Sequence, residues 1–278
     1  MSDSSPWLAL VALSDELLPS PDAIAAQLAE RFPDAAAFGA TSETDRAVTF
    51  RFGEATGNLT LVDRPIPWSQ IEGPCAVAWY WPEAEQAMRS HTTHLFLTLI
   101  DAAKDPVDRA THLTQLTTAV AATTPSVGIV WGPSSQVHKP VDFAVTASTM
   151  APSDLPLHLW IDFRISQLGD GQLGDGQLDD GQLGEGQHAA GAFTLFTTGM
   201  EALGHREFEV ARFEGEPQQL AGVVYNIAHY VLESVPGKGR PVLNDGEAVG
   251  LPDDKQVNVR IEASQIDPEQ EVVRLEFE

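Results

Sequence analysis

The chain has 278 residues, 43% hydrophobic and 20% charged, a globular composition long enough to bury a core, which excludes wholesale disorder. Sixteen Lys and Arg stand against forty Asp and Glu, a formal charge of −24 at pH 7. A sequence-independent grip on nucleic-acid phosphates or on an anionic membrane is therefore disfavoured, and a basic protein is the partner class that the charge suggests.

Residues 86–150 carry four acids and four bases, whereas both flanks are acidic. Cys75, the single cysteine, cannot close an intrachain disulfide or build a thiolate metal cluster. The early apolar run at residues 7–13 is too short to span a bilayer and follows Asp3 rather than a basic segment, so the expectation is a soluble cytoplasmic protein.

In chain order, residues 7–13 read as a buried strand. Ser20 then caps a helix that starts at Pro21, carries Ile24, Leu28 and Phe32 on one stripe, and stops at Pro33. Val48, Phe50 and Phe52 alternate with Thr49 and Arg51, and Leu59 and Leu61 repeat the pattern beyond a turn expected at Thr56-Gly57-Asn58, giving a β-α-β-β opening. Residues 76–81 read as a further strand with Trp79 and Trp81 on the same face, followed by a short helix over residues 82–88. Residues 95–100 form the next strand. Asp105 and Pro106 open a helix whose face is Val107, Ala110, Leu113, Leu116 and Val120. Residues 127–131 form a strand ended by Gly132-Pro133.

The plainest alternation lies at residues 157–165, where Leu157, Leu159, Ile161, Phe163 and Ile165 interleave with His158, Trp160, Asp162 and Arg164. Residues 193–198 resume as a strand, 199–204 make a helical turn, and 205–212 are extended. Pro217 opens a helix with Leu220, Val223, Val224, Ile227 and Val231 inward. Asn244-Asp245-Gly246 is a turn, and Val257, Val259, Ile261 and Val273, Leu275, Phe277 form a terminal hairpin.

Four pentapeptides in register, QLGDG, QLGDG, QLDDG and QLGEG, fill residues 167–186. One leucine in five offers too little apolar surface to offset a backbone ordering cost of about 1–2 kcal/mol per residue. This Gly/Asp-rich segment, residues 167–187, reads as a disordered insertion in a β-hairpin, and its five-residue period does not fit a calcium roll. The fold class expected is α+β, with mixed or antiparallel sheets packed by helices and built from β-α-β type units. The expected division is residues 1–89 and 90–278 within one assembly.

Several stretches of the C-terminal half form a series: Leu159-Trp160-Ile161, Phe196-Thr197-Thr198-Gly199-Met200, Leu203-Gly204 and Glu207-Phe208-Glu209. The series goes on through Asn226-Ile227-Ala228, Tyr230-Val231-Leu232, and Asp245-Gly246 ahead of Gly250. Over residues 155–278 it resembles the bacterial family named domain of unknown function 4261 (DUF4261), and residues 90–100 with 127–132 resemble the region upstream of that domain. The resemblance implies an α+β bacterial cytoplasmic protein and carries no activity, cofactor or catalytic residue. The pentapeptide insertion and Ala248, where a hydroxyl residue is expected, depart from the pattern.

Glu207 and Glu209 lie two apart on an extended segment beside His205, so both carboxylates project from one face, where they could bind a cation or exchange protons. The commoner reading of such a pair is the solvated face of an edge strand. His91 and His94 have an H-x-x-H spacing without the glutamate of a zinc peptidase or a third ligand, and capping or packing explains them. Cys75 reads as a small buried hydrophobe. Gly169, Gly171 and Gly174 satisfy G-x-G-x-x-G, but they are one phase of an acidic repeat with no helix behind it. No Walker A, G-x-S-x-G or kinase pattern occurs. Neither a cofactor nor a metal is expected.

Trp79 and Trp81, with Trp160 beside Asp162 and Arg164, are the binding candidates, because large aromatics anchor interfaces as well as fill cores. The function expected is a non-enzymatic protein-interaction module of adaptor or immunity type. The alternative is a small-molecule-processing or metal-dependent enzyme using Glu207 and Glu209.

Overall fold

The computed structural model describes residues 7–100, 105–168, 191–233, 239–251 and 256–277. The chain divides into two compact units, Met1–Ile161 and Asp162–Glu278.

In the first unit the strands are β1 (Trp7–Leu13), β2 (Phe38–Glu43), β3 (Ala47–Phe52), β4 (Ala55–Val62), β5 (Thr93–Ile100), β6 (Ser126–Trp131) and β7 (Gln136–His138). They form one antiparallel sheet in the order β2-β3-β4-β5-β1-β6-β7. Because β5 pairs with both β4 and β1, the expected boundary at residues 89 and 90 falls inside this unit. The helices are α1 (Pro21–Arg31), α2 (Trp68–Ala76), α3 (Ala84–Arg89), α4 (Pro106–Ala122), α5 (Pro140–Ser148) and the single turn α6 (Leu157–Trp160).

Local chemistry starts two of these helices where the sequence places them. The Ser20 hydroxyl accepts from Ala23 N at 3.3 Å, the Asp105 carboxylate accepts from Val107 N at 2.9 Å, and a proline follows each cap. The predicted stripes of α1 and α4 are buried at Ile24, Leu28, Val107, Ala110, Leu113, Leu116 and Val120. Against another part of the sheet, Ala12, Val130 and Val137 pack with Ile71 and Cys75 of α2 and with Ala84 and Met88 of α3.

The expected turn at Thr56-Gly57-Asn58 is instead strand. Phe52 pairs with Ala55, so the turn is Gly53-Glu54, and Gly53 takes φ 59°, which glycine adopts without strain. Gly57 has a different purpose: a Cβ there would meet the Phe50 ring at 2.3 Å. β2, α2, β7 and α5 have no sequence-based counterpart above.

Residues 76–81 are not a strand. After α2 the chain makes tight turns, with Trp79 N donating to Val77 O and Trp81 N to Ala78 O, which place Trp79 and Trp81 in opposite environments. Residues 157–160 are helical as well: Ile161 N donates to Leu157 O at 2.8 Å, and Leu157, Leu159, Trp160 and Ile161 are all buried. The alternation of Leu157 and Leu159 with His158 and Trp160 imitates a strand, yet three of the four residues of the turn are buried and His158 is exposed.

The second unit holds β8 (Asp162–Leu168), β9 (Gly191–Thr198), β10 (Phe208–Gly215), β11 (Ala248–Gly250), β12 (Gln256–Ala263) and β13 (Glu271–Phe277), with α7 (Pro217–Leu232). The sheet order is β11-β12-β13-β10-β9-β8. Every pairing is antiparallel except β10 with β13, where Phe208 lies beside Val273 and Glu209 beside Arg274. Leu220, Val224, Ile227, Ala228, Val231 and Leu232 of α7 are buried, as are Leu195, Phe208, Val210, Val259, Val273 and Leu275 of the strands. The α+β class stands, with one antiparallel and one mixed sheet. Leu168 of β8 pairs with Ala192 of β9, and the repeat positions between residues 169 and 190 lie outside the described residues.

Candidate functional site

β10 lies between β9 and β13, so the expected solvated edge is an interior strand. Glu207 and Glu209 are 3% and 1% exposed. A buried carboxylate needs donors, and each glutamate finds its own set in the protein.

Glu207 holds the 199–204 turn between β9 and β10. Its Oε1 accepts from Gly199 N at 2.8 Å and Glu201 N at 3.1 Å. Its Oε2 accepts from the Thr197 hydroxyl at 2.7 Å and Met200 N at 3.2 Å. Burial raises the pKa of this carboxyl, and the hydrogen bonds from Thr197, Glu201, Gly199 and Met200 pull it back down.

Glu209 holds the connection between β12 and β13. Oε2 accepts from the Ser264 hydroxyl at 2.5 Å and from Gln265 N at 3.1 Å, and Oε1 accepts from Arg274 Nη2 at 2.7 Å. Arg274 also donates to Glu262 and to Ala263 O. The Ser264 oxygen in turn accepts from Ile266 N and Asp267 N, which shapes the loop. His205 is partly buried, and its imidazole pKa is lowered by that burial and by nearby Arg240. No hydrogen bond joins the imidazole to either glutamate among the described residues. The three candidates therefore do not assemble into one reactive constellation.

The two held turns frame an open acidic cleft of about 640 Å³ lined by Glu201, Arg206, Asp267, Glu269, Gln270 and Glu271. Gln270 Nε2 donates to Glu201 Oε1 at 2.9 Å, which ties one turn to the other, and Arg206 pairs with Glu271 at 2.5 Å. Among the described residues no group of three His, Cys, Asp and Glu is placed to hold a metal ion. The sequence reading missed this cleft. The available signal was Arg274, a charge inside the apolar run Val272-Val273-Arg274-Leu275 that requires a buried counter-ion.

The aromatic candidates separate. Trp81 is buried with Cys75 and Met88 in the first unit, whereas Trp79 is 80% exposed. Trp160 is buried, its indole N–H donating to the Thr114 hydroxyl at 2.8 Å, so it does not share a face with Asp162 and Arg164. Those two residues pair with each other at 2.8 Å on β8. Trp79 stands edge to face with Tyr80, whose ring stacks on His138 and whose hydroxyl donates to Val137 O at 2.9 Å. Val141 and Val145, one turn apart on α5, are also exposed, and Val141 follows His138 by three residues.

His91 and His94 serve the backbone. Ile66 N donates to His91 Nε2 at 2.7 Å, which leaves Nδ1 to donate to Met88 O, and His94 Nδ1 meets Arg64 O at 2.8 Å. Cys75 lies buried in α2, and burial, with Glu85 nearby, pushes its thiol up to about 11, so it carries no thiolate at neutral pH.

Residues 196–276 match the model of the family described as Domain of unknown function (DUF4261). The matched segment contains both held turns, their glutamates, Arg274 and every residue that lines the acidic cleft. No curated protein and no solved structure matches the chain.

Proposed function

We propose that this chain is a non-enzymatic protein-interaction module, an adaptor or immunity-type protein of the bacterial cytoplasm, whose partner docks on the ledge formed by Trp79 and Tyr80. The observation that carries this reading is the exposure of Trp79 on a fixed support. Tryptophan is costly to leave in water, and an aromatic anchor already held in place loses little conformational entropy on binding. Tyr80 supplies that support through its hydrogen bond to Val137 and its stack on His138. Glu207 and Glu209, on which an enzymatic reading would turn, direct both carboxylate oxygens to protein donors, which favours the binding reading. The acidic composition favours a basic partner.

The test is affinity capture from native lysate with the full chain and its Trp79→Ala variant, the variant's melting temperature being checked in parallel. A stoichiometric polypeptide held by the wild type and lost from an equally stable Trp79→Ala protein supports the proposal. Retention of the same polypeptide by the variant, or no stoichiometric polypeptide at all, overturns it.

A further inference from the structure

We propose that the Trp79 ledge receives an arginine or lysine side chain of a basic polypeptide segment, with the cation placed over the indole face. This rests on the interaction reading above and names the chemistry that the ledge recognises.

Three features converge on it. First, the indole is 80% exposed and meets Tyr80 at an interplanar angle of 81°, so an edge-to-face neighbour leaves at least one indole face open. An indole is the best of the side-chain rings for attracting a cation, through the negative potential of its face.

Second, the same part of the fold already satisfies another tryptophan in this way. The Arg89 guanidinium lies 3.6 Å from the centroid of the Trp68 ring, and Glu85 orients it through a 2.9 Å ion pair. Trp68 opens α2 and Trp79 follows its end, yet of these two Trp68 alone has a cation over its ring among the described residues.

Third, the charge carried by the chain segments that flank Trp79 and His138 fits a cation and disfavours an anion or a second copy. Glu72 on α2, Glu83 just before α3 and Asp142 on α5 are exposed and make no ion pair among the described residues; Lys139 is the opposing charge near His138. Glu85 and Arg89 neutralise each other. Two copies of a chain carrying −24 would repel on approach, whereas a basic segment is drawn in. Val141 and Val145 add apolar surface for the stem of the incoming side chain or its neighbours, since arginine and lysine lay their methylenes on such surface.

The experiment uses the full chain with ¹⁵N-labelled tryptophan indoles, titrated with tetra-arginine and with tetra-citrulline, its neutral isostere. The Trp79 indole signal is assigned by its loss in Trp79→Phe. The expected result is a saturable shift of that signal with tetra-arginine, at least tenfold weaker with tetra-citrulline and abolished at 1 M salt. Trp79→Ala should weaken tetra-arginine binding about five- to tenfold, and Glu83→Gln about twofold to threefold.

A Trp79 signal that stays fixed while tetra-arginine binds elsewhere overturns the inference, as does an equal shift by tetra-citrulline. A concentration-dependent shift of Trp79 without peptide identifies a second copy as the occupant and also overturns it. If the lysate partner is lost from Trp79→Ala while tetra-arginine leaves the Trp79 signal unmoved, the interaction reading stands and only the cation assignment fails.

Discussion

Glu209 and Arg274 lie side by side at the junction of the parallel strands β10 and β13, joined by a 2.7 Å ion pair in which both side chains are buried. The pair ties the centre of the mixed sheet to the loop that carries Asp267 and Glu269. A buried charge stripped of its partner is costly, whereas removing both costs less than the sum. Glu209→Ala and Arg274→Ala should each destabilise the protein by about 3–5 kcal/mol, and the double variant by clearly less than the two together. Urea denaturation of the four proteins measures the coupling, and strict additivity would refute the pairing.

Glu207 predicts a local effect. Glutamine at this position replaces one acceptor oxygen with an amide that cannot accept from backbone N–H groups, so the 199–204 turn loses part of its hold. Glu207→Gln should speed hydrogen exchange at the amides of Gly199, Met200 and Glu201 by about tenfold or more while leaving α7 protected, as a loss of about 1.4 kcal/mol local to the turn requires.

The two neighbouring tryptophans should behave in opposite ways. Trp81 is packed against Met88 and Cys75, and Trp81→Ala should cost about 3–5 kcal/mol. Trp79→Ala, at a side chain 80% exposed, should stay within about 0.5 kcal/mol of the wild type. Thermal or urea unfolding distinguishes them, and comparable losses would contradict the separation of the two rings.

His138 sets an acid limit on the first unit. Burial lowers its pKa to about 4 from 6.5, against a hydrogen bond to the Leu159 backbone. The unfolded chain therefore binds the proton first, so stability falls as pH drops from about 6.5 towards 4 and is retained above the unfolded value. The depressed pKa corresponds to about 3 kcal/mol over that window. His138→Phe should remove this part of the pH dependence, which denaturation curves at pH 7, 5.5 and 4 will measure; an unchanged slope would show that another group is responsible.

Much of the fold was legible because its signals are local. The caps at Ser20 and Asp105, the helical stripes of α1, α4 and α7, and the alternation of β12 and β13 each depend on residues a few positions apart. Local pattern failed where spacing imitated another structure. Residues 157–160 alternate like a strand, yet Pro156 begins a helical turn in which Leu157, Leu159 and Trp160 are buried and His158 is exposed. Trp79 and Trp81 are two apart like neighbours on one strand face, yet two tight turns send one into the core and the other into water.

The candidate sites depend still more on distant partners. By itself, the sequence determined the α+β class, the principal helices, the terminal hairpin, the acidity of the chain and the resemblance to the family whose model matches residues 196–276. Only the tertiary structure decided that Glu207 and Glu209 are buried, because that follows from β9 and β13 flanking β10, and Arg274 is 65 residues from Glu209 in the chain. Side-chain period says which residues share a face, while the neighbours that cover that face are chosen by sheet order, a property of contacts far apart in sequence.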